Sequence, residues 1–265
     1  MARHLVTVTP LPAWLPTDSL LGPGPWRREG AALSAELDTP AAADLAARLH
    51  GVVLAGASLA MTVQPPLKRP AVRAARTDEA RRRRDATPGF TRANTRLDDD
   101  GRVFLTPEAL ALTLGERAKV TTVIDACCGA GGNAIGFARA GAQVLAIDTD
   151  PERLALARHN ASVYGVAARI RFLQGDACVL APQHPAELLF VDPPWGPDYR
   201  APSTLADHPV VAELAAAWQG PLWAKLPPAF DPTSWPAAPP EAWLGRAAGD
   251  NRRVKFLLLR RASAS

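Results

Sequence analysis

Cysteine is scarce in this sequence of 265 residues: there are three, with Cys127 and Cys128 adjacent and no Cys-x-x-Cys pair. An odd, unspaced set of this kind builds neither a disulfide framework nor a zinc site, and it fits a reducing cytoplasm. The five histidines have no ligand spacing either, so no metal is expected. Long apolar runs are also missing. The longest, Val52–Val63, has twelve residues, whereas a bilayer span needs ~20. The start, Met1-Ala-Arg-His-Leu, runs into prolines without an apolar core, which argues against a signal peptide. There are no internal repeats. What remains is a globular composition, 48% hydrophobic and 21% charged. The 26 prolines and 19 glycines make it loop-rich without making it low in complexity. A chain this long buries a core without staples.

Charge is unevenly spread. Lys68 to Arg96 holds ten basic side chains against three acidic ones, so the stretch carries +7 of a total of +4 and the remainder is acidic. Nine of the ten are arginine, the better fork for phosphate. A run of like charges is often only a solvated linker or helix face. Lying beside the motifs described below, this one is read as a polyanion contact, with Arg81, Arg82, Arg83, Arg84 and Arg92 as candidate RNA-binding residues.

The basic stretch divides the chain into three expected parts: a small N-terminal α+β region over 1–67, a basic linker over 68–97 and a main domain over 98–265. In the first, Ala32–Leu37 and Val52–Val63 read as strands around a helix from Pro40 to Leu49, with Thr39 as its N-cap. In the last, Thr106-Pro107-Glu108 opens a helix, and apolar runs then alternate with helical segments. Val120–Asp125, Gln143–Asp148, Arg169–Leu173, Leu188–Asp192 and Leu222–Leu226 read as strands. Helices are expected near 131–140, 151–164 and 209–218, the second capped by Asp150-Pro151 and closed by Gly165. Such alternation predicts a doubly wound parallel sheet. Ala242–Arg246 and Arg253–Leu259 read as an antiparallel hairpin that ends it.

Two motifs fall where such a sheet places a ligand. The first, Asp125-Ala-Cys-Cys-Gly129-Ala-Gly131-Gly132-Asn133, follows a strand and enters a helix, so its glycines let the backbone turn tightly beneath a ligand. Asp148 ends the next strand, where a carboxylate can accept both ribose hydroxyls. Asp176, after the third strand, is placed to accept from an adenine amine. The spacing is not that of a pyrophosphate turn, and an acidic mouth repels phosphate. An adenosine bearing an amino acid and a sulfonium fits better, which favours S-adenosylmethionine over NAD.

The second motif is Asp192-Pro193-Pro194-Trp195, ending the fourth strand. The lone pair of an exocyclic base amine is delocalised into the ring. A carboxylate and a backbone carbonyl can accept its two N–H groups and draw the nitrogen towards tetrahedral geometry, while the proline pair stiffens the loop. A neighbouring aromatic can stack the base, worth ~1–3 kcal/mol. Lys225, ending the fifth strand, could touch substrate or merely snorkel.

Together with Ala146-Ile-Asp-Thr-Asp-Pro151, Asn160-Ala-Ser-Val-Tyr-Gly165 and Thr106-Pro107-Glu108, these motifs resemble the trimethylguanosine synthase (cap guanine-N2 methyltransferase-like) family over about residues 97–200. The resemblance implies a class I methyltransferase fold, with a Rossmann-like, seven-stranded doubly wound sheet. It implies S-adenosylmethionine as cofactor, held by Asp125, Gly129, Asp148 and Asp176 with Thr106, Cys127, Gly131, Asn133, Thr149 and Ala177 around it. It also implies guanine stacked on Trp195. The family pattern has Ser where this chain has Asp192 and Phe where it has Cys127. An Asp there resembles adenine-N6 and ribosomal guanine-N2 methyltransferases. The expected activity is methyl transfer to guanine N2 of structured or capped RNA, with adenine N6 of RNA or DNA as the alternative. A non-catalytic adaptor that binds S-adenosylmethionine or RNA is the reading from another class.

Overall fold

The computed structural model describes residues 2–235 and 238–262; Met1 and residues 263–265, the outer ends of the expected divisions, lie outside the described residues. The chain opens with β1 (Arg3–Thr9), α1 (Thr17–Leu21), β2 (Arg27–Glu29), β3 (Ala32–Asp38) and α2 (Thr39–Leu49). A two-stranded hairpin, β4 (Val53–Leu54) and β5 (Ala57–Ser58), and then β6 (Ala60–Gln64) follow. These strands form an antiparallel sheet in the order β2-β3-β1-β6, apart from the β4–β5 ribbon. β1 alternates strictly, with His4, Val6 and Val8 facing inward, and so fills the centre of the sheet.

Two readings of this region are corrected. The N-cap of α2 is Asp38, whose carboxylate accepts from the Ala41 N–H at 2.9 Å, while the Thr39 hydroxyl turns to His4 Nε2 at 2.9 Å. Val52–Val63 is broken into three pieces, because Ala55 and Gly56 turn with φ of 50° and 78°. Within the basic stretch, Arg69–Arg82 folds as α3 and packs on α2, and residues 83–97 continue as an irregular segment.

After α4 (Asp99–Phe104) and α5 (Glu108–Ala118) come β7 (Thr122–Ala126), α6 (Gly132–Arg139), β8 (Gln143–Asp148), α7 (Pro151–Val163) and β9 (Ile170–Gln174). The chain then forms α8 (Ala177–Leu180), β10 (Leu188–Val191), α9 (Pro209–Ala217), β11 (Leu222–Leu226), β12 (Glu241–Leu244) and β13 (Val254–Arg261). Their sheet runs β12-β13-β11-β10-β7-β8-β9. Strands β7 to β11 are parallel, and β13 lies antiparallel between β11 and β12. β10 is buried on both faces, as an unbroken apolar strand must be. Leu188 and Phe190 pack under α5, α6 and α7, while Leu189 and Val191 face α8, α9 and the N-terminal sheet. Helices α5 and α6 touch through backbone: a Cβ on Gly136 would sit 2.4 Å from the Ala111 carbonyl oxygen.

The N-terminal sheet is docked at the same edge of the main sheet as the cleft described next. The Ala55 and Gly56 N–H groups donate to the Pro228 and Ala229 carbonyls in the loop after β11, at 2.9 and 3.0 Å. Among the described residues no helix is long and apolar enough to cross a membrane.

Candidate active site

Strand order reverses between β7 and β10, and a parallel sheet opens a crevice at the carboxyl ends of its strands at such a point. Here the crevice is a cleft of about 510 Å³, a size that suits a small-molecule ligand. Thr106, Cys127, Gly129, Asn133, Asp148, Thr149, Asp176 and Ala177 line it, and Asp192, Pro193, Pro194 and Trp195 close one side. One cavity therefore joins the two motifs.

The turn after β7 carries Cys127, Gly129 and Gly131 at φ of 63°, 51° and 90°. Gly131 needs its hydrogen: a Cβ there would lie 3.1 Å from that of Ala157. Cys127 occupies a left-handed conformation that a side chain disfavours, the kind of strain retained where a ligand site requires it. Asp148 is fixed by backbone. Its Oδ2 accepts from the Gly129 N–H at 2.8 Å and its Oδ1 from the Asp150 N–H at 3.0 Å. Each oxygen keeps a lone pair for a ligand. Asp176 caps the short α8 through the Cys178 N–H at 2.8 Å and remains exposed to the cleft.

Asp125 departs from its expected place at the mouth. It is completely buried beneath the turn and does not line the cleft, and neither does Gly131. Neither carboxyl oxygen of Asp125 receives a well-formed hydrogen bond among the described residues. Burial, and then the charge of Asp192, push its pKa well above the usual carboxylate range, against only partial support from the Ala134 N–H. An orphaned acid under a wall of acceptors suits a ligand that carries positive charge and donates hydrogen bonds. Among the described residues the one cation on the cleft wall, Arg153, is already committed to Asp98 at 3.0 Å and Asp100 at 2.5 Å. A pyrophosphate would find no free cationic side chain among the described residues of that wall.

Asp192 is the hub of the other side. Its Oδ2 accepts from Lys225 Nζ at 2.7 Å, Asn133 Nδ2 at 2.8 Å and, more distantly, the Thr106 hydroxyl at 3.4 Å. Thr106 thus serves the site rather than capping α5, whose N-cap is Pro107. Lys225 is 2% exposed and does not line the cleft, so it is neither a substrate contact nor a snorkelling side chain. It stands behind the motif, its Nζ 4.8 Å from the centroid of the Trp195 ring while its carbonyl accepts from Trp195 Nε1 at 3.3 Å. Phe104 and Tyr199 pack edge-on and tilted against the same indole at 6.4 and 6.2 Å. Sequence reasoning missed both of these aromatics. Tyr199 lies four residues beyond Trp195, a visible signal; Phe104 sits in a polar segment with none.

The basic candidates lie elsewhere. Arg81, Arg82, Arg83, Arg84 and Arg92 contribute nothing to the cleft wall. Arg92 donates to the Val163 carbonyl at 2.9 Å and stacks over Tyr164. Among the described residues no group of three His, Cys, Asp or Glu side chains could hold a metal ion.

The strand order, the reversed β13 and a cleft at the turn after β7 define the class I methyltransferase fold. Residues 120–206 match the family model described as RNA cap guanine-N2 methyltransferase. The chain is 34% identical over 114 residues to a trimethylguanosine synthase of Schizosaccharomyces pombe, covering 39% of this chain and 47% of that protein. It is 36% identical over 97 residues to a release factor glutamine methyltransferase of Chlorobaculum tepidum, covering 34% and 33%. The chain spans less than half the length of either relative. Among solved structures, an RNA methyltransferase of Salinibacter ruber in complex with S-adenosyl-L-homocysteine aligns with a TM-score of 0.44 and 23% identity, over 60% of this chain and 95% of that one. The likeness to the RNA cap guanine-N2 methyltransferase family lies over residues 120–206, about a third of the chain.

Proposed function

We propose that this protein is an S-adenosylmethionine-dependent methyltransferase acting on an exocyclic base amine in RNA, with guanine N2 as the acceptor. The cofactor side of the cleft would be Asp148 for the ribose hydroxyls, Asp176 for the adenine amine and the Cys127–Gly131 turn beneath, with buried Asp125 behind that turn. When bound, S-adenosylmethionine supplies a methyl group on a positively charged sulfonium. Every other task falls to the chain.

The carrying observation is the division of labour at Asp192. Three donors occupy Oδ2 and hold the carboxylate still, while Oδ1 has no hydrogen-bond partner among the described residues. Oδ1 and the Pro193 carbonyl can therefore accept the two amine N–H groups, and Trp195 can stack the base against its edge partners. Held by both protons, the nitrogen turns its lone pair to the cofactor side of the same cavity. The nitrogen that takes the methyl would pass one of those protons to Asp192 Oδ1, and from there to solvent. A carboxylate at position 192 serves an adenine N6 amine equally well, and that is the second reading.

Asp192→Ala should lower methyl transfer by ~10²–10⁴-fold while calorimetric binding of S-adenosylmethionine is retained. Asp192→Asn should lose less, since its amide oxygen still accepts. Full activity in Asp192→Ala would remove this mechanism and leave a binding protein with a methyltransferase fold.

A further inference from the structure

The arginines of the basic stretch fall into two sets that the sequence does not distinguish. One set is inward. Arg82 pairs with Asp44 at 2.5 Å and Arg83 with Glu79 at 3.4 Å. The same two acids hold Arg252, at 3.4 Å, and Arg253 from the segment between β12 and β13. Glu79 is 4% exposed. These pairs bolt α3 to α2 and to the end of the main sheet, so Arg82 and Arg83 are already in use.

The other set is unpaired and runs along α3; Arg84 is likewise exposed and without an ion-pair partner among the described residues, but it lies past the end of α3 and outside the groove described next. Arg69, Arg73 and Arg76 are exposed, have no ion-pair partner among the described residues and line one shallow groove of about 590 Å³ over Leu67 and Val72. Their spacing of four and then three residues puts them on one face of α3, with rises of ~6 and ~4.5 Å between them.

We propose that this row is the docking track for the backbone of the RNA substrate, in place of Arg81–Arg84. The proposal rests on the RNA reading above and names the surface that serves it. Guanidinium forks in a row match the regularly spaced anions of a nucleic-acid strand. The groove contains no aromatic side chain, so it offers phosphate contacts and no base stacking, and the chemistry on the base is left to the cleft. The track is also tied to the cleft. Residues 87–97 run from α3 as a strap: the Thr87 hydroxyl and N–H donate to Asp250 at 2.8 and 2.9 Å, the Thr91 N–H to Glu108 at 2.7 Å, and the Arg96 N–H to Asn160 at 2.8 Å. Asp98, next along the chain, is already on the cleft wall. RNA held on α3 is therefore held at a fixed place relative to Asp192.

The test is fluorescence anisotropy of a labelled single-stranded RNA oligonucleotide, titrated with the full protein over a range of salt. The variant R69Q/R73Q/R76Q should flatten the plot of log affinity against log salt by about 2, at ~0.7 per phosphate lost. It should weaken binding about tenfold or more at physiological salt, with the thermal midpoint and calorimetric cofactor binding unchanged. R81Q/R84Q should leave the slope as it is. An unchanged slope in the triple variant, or an equal loss in R81Q/R84Q, overturns the track. Wild-type protein that binds poly-glutamate as tightly as the RNA also overturns it, and assigns the face to an acidic protein. The two readings fail separately: a chain that never transfers methyl but loses slope in the triple variant refutes the enzyme and keeps the track. Wild-type methylation of RNA with an unchanged slope does the reverse.

Discussion

Position 192 carries a charge where the resembled family has a hydroxyl, and that charge has to be balanced inside the fold. The Asp192 side chain is 13% exposed and its partner Lys225 3%, so the pair is buried, and a buried pair is costly to break rather than strongly stabilising to make. Lys225→Met should destabilise the protein by about 3–5 kcal/mol, because it leaves a carboxylate without its cation. Lys225→Met with Asp192→Asn should recover most of that loss, as neither charge then remains. Urea denaturation of the two single variants and the double variant measures the coupling. A Lys225→Met protein as stable as the wild type would mean that the ion pair does not form. Lys225 also backs the Trp195 ring, so the single variant should raise KM as well as lower kcat.

Among the elements, the strap from α3 to α5 is where pH should act first. Glu108 at the start of α5 receives the Thr91 N–H at 2.7 Å and hydroxyl at 2.5 Å, the Tyr164 hydroxyl at 2.5 Å and Arg139 Nη1 at 2.6 Å. Desolvation pushes its pKa up, but these donors outweigh that, the Thr91 hydroxyl first, and bring it down from 4.5 to about 2. A carboxylate with a depressed folded pKa contributes stability that is complete above the unfolded value and is lost as pH falls through the folded one. The strap should therefore loosen between pH 4.5 and about 2. Amide exchange at residues 91–96 should rise across that window in the wild type and be fast throughout in Glu108→Gln. Flat exchange down to the lower limit would separate Glu108 from the strap. The elements legible in the sequence are those whose burial leaves a pattern. β10 is an apolar run because both its faces are covered, α7 shows its Asp150 cap and Gly165 stop, and the β12–β13 hairpin shows its turn. α4 left no pattern, since none of its six residues is buried and it is held by Arg153 from α7. β1 did carry a signal, the alternation Val6-Thr7-Val8-Thr9, which the outward Leu5 before it obscures. The cleft motifs were legible because each ends a strand. The depth of Asp125 and the Lys225–Asp192 contact were not, because both depend on which strands become neighbours.

For the whole molecule, the two sheets share a core and one working edge. Val6, Leu45 and Leu54 of the N-terminal part belong to the same buried cluster as Ile124, Val191 and Leu226 beneath the motifs. On the reading proposed here the acidic cleft would take a cationic cofactor and the arginine face of α3 a polyanionic substrate, and the charge map of the sequence already separates the two surfaces. The central claim is that the acceptor is a base amine in RNA. The measurement that reaches it most directly is transfer of labelled methyl from S-adenosylmethionine to total cellular RNA by the full-length protein, followed by digestion and identification of the labelled nucleoside. The account predicts N2-methylguanosine, absent with Asp192→Ala, and N6-methyladenosine would move the acceptor to the second reading. Label recovered in protein with none in RNA, or RNA labelled equally by wild type and Asp192→Ala, would contradict it.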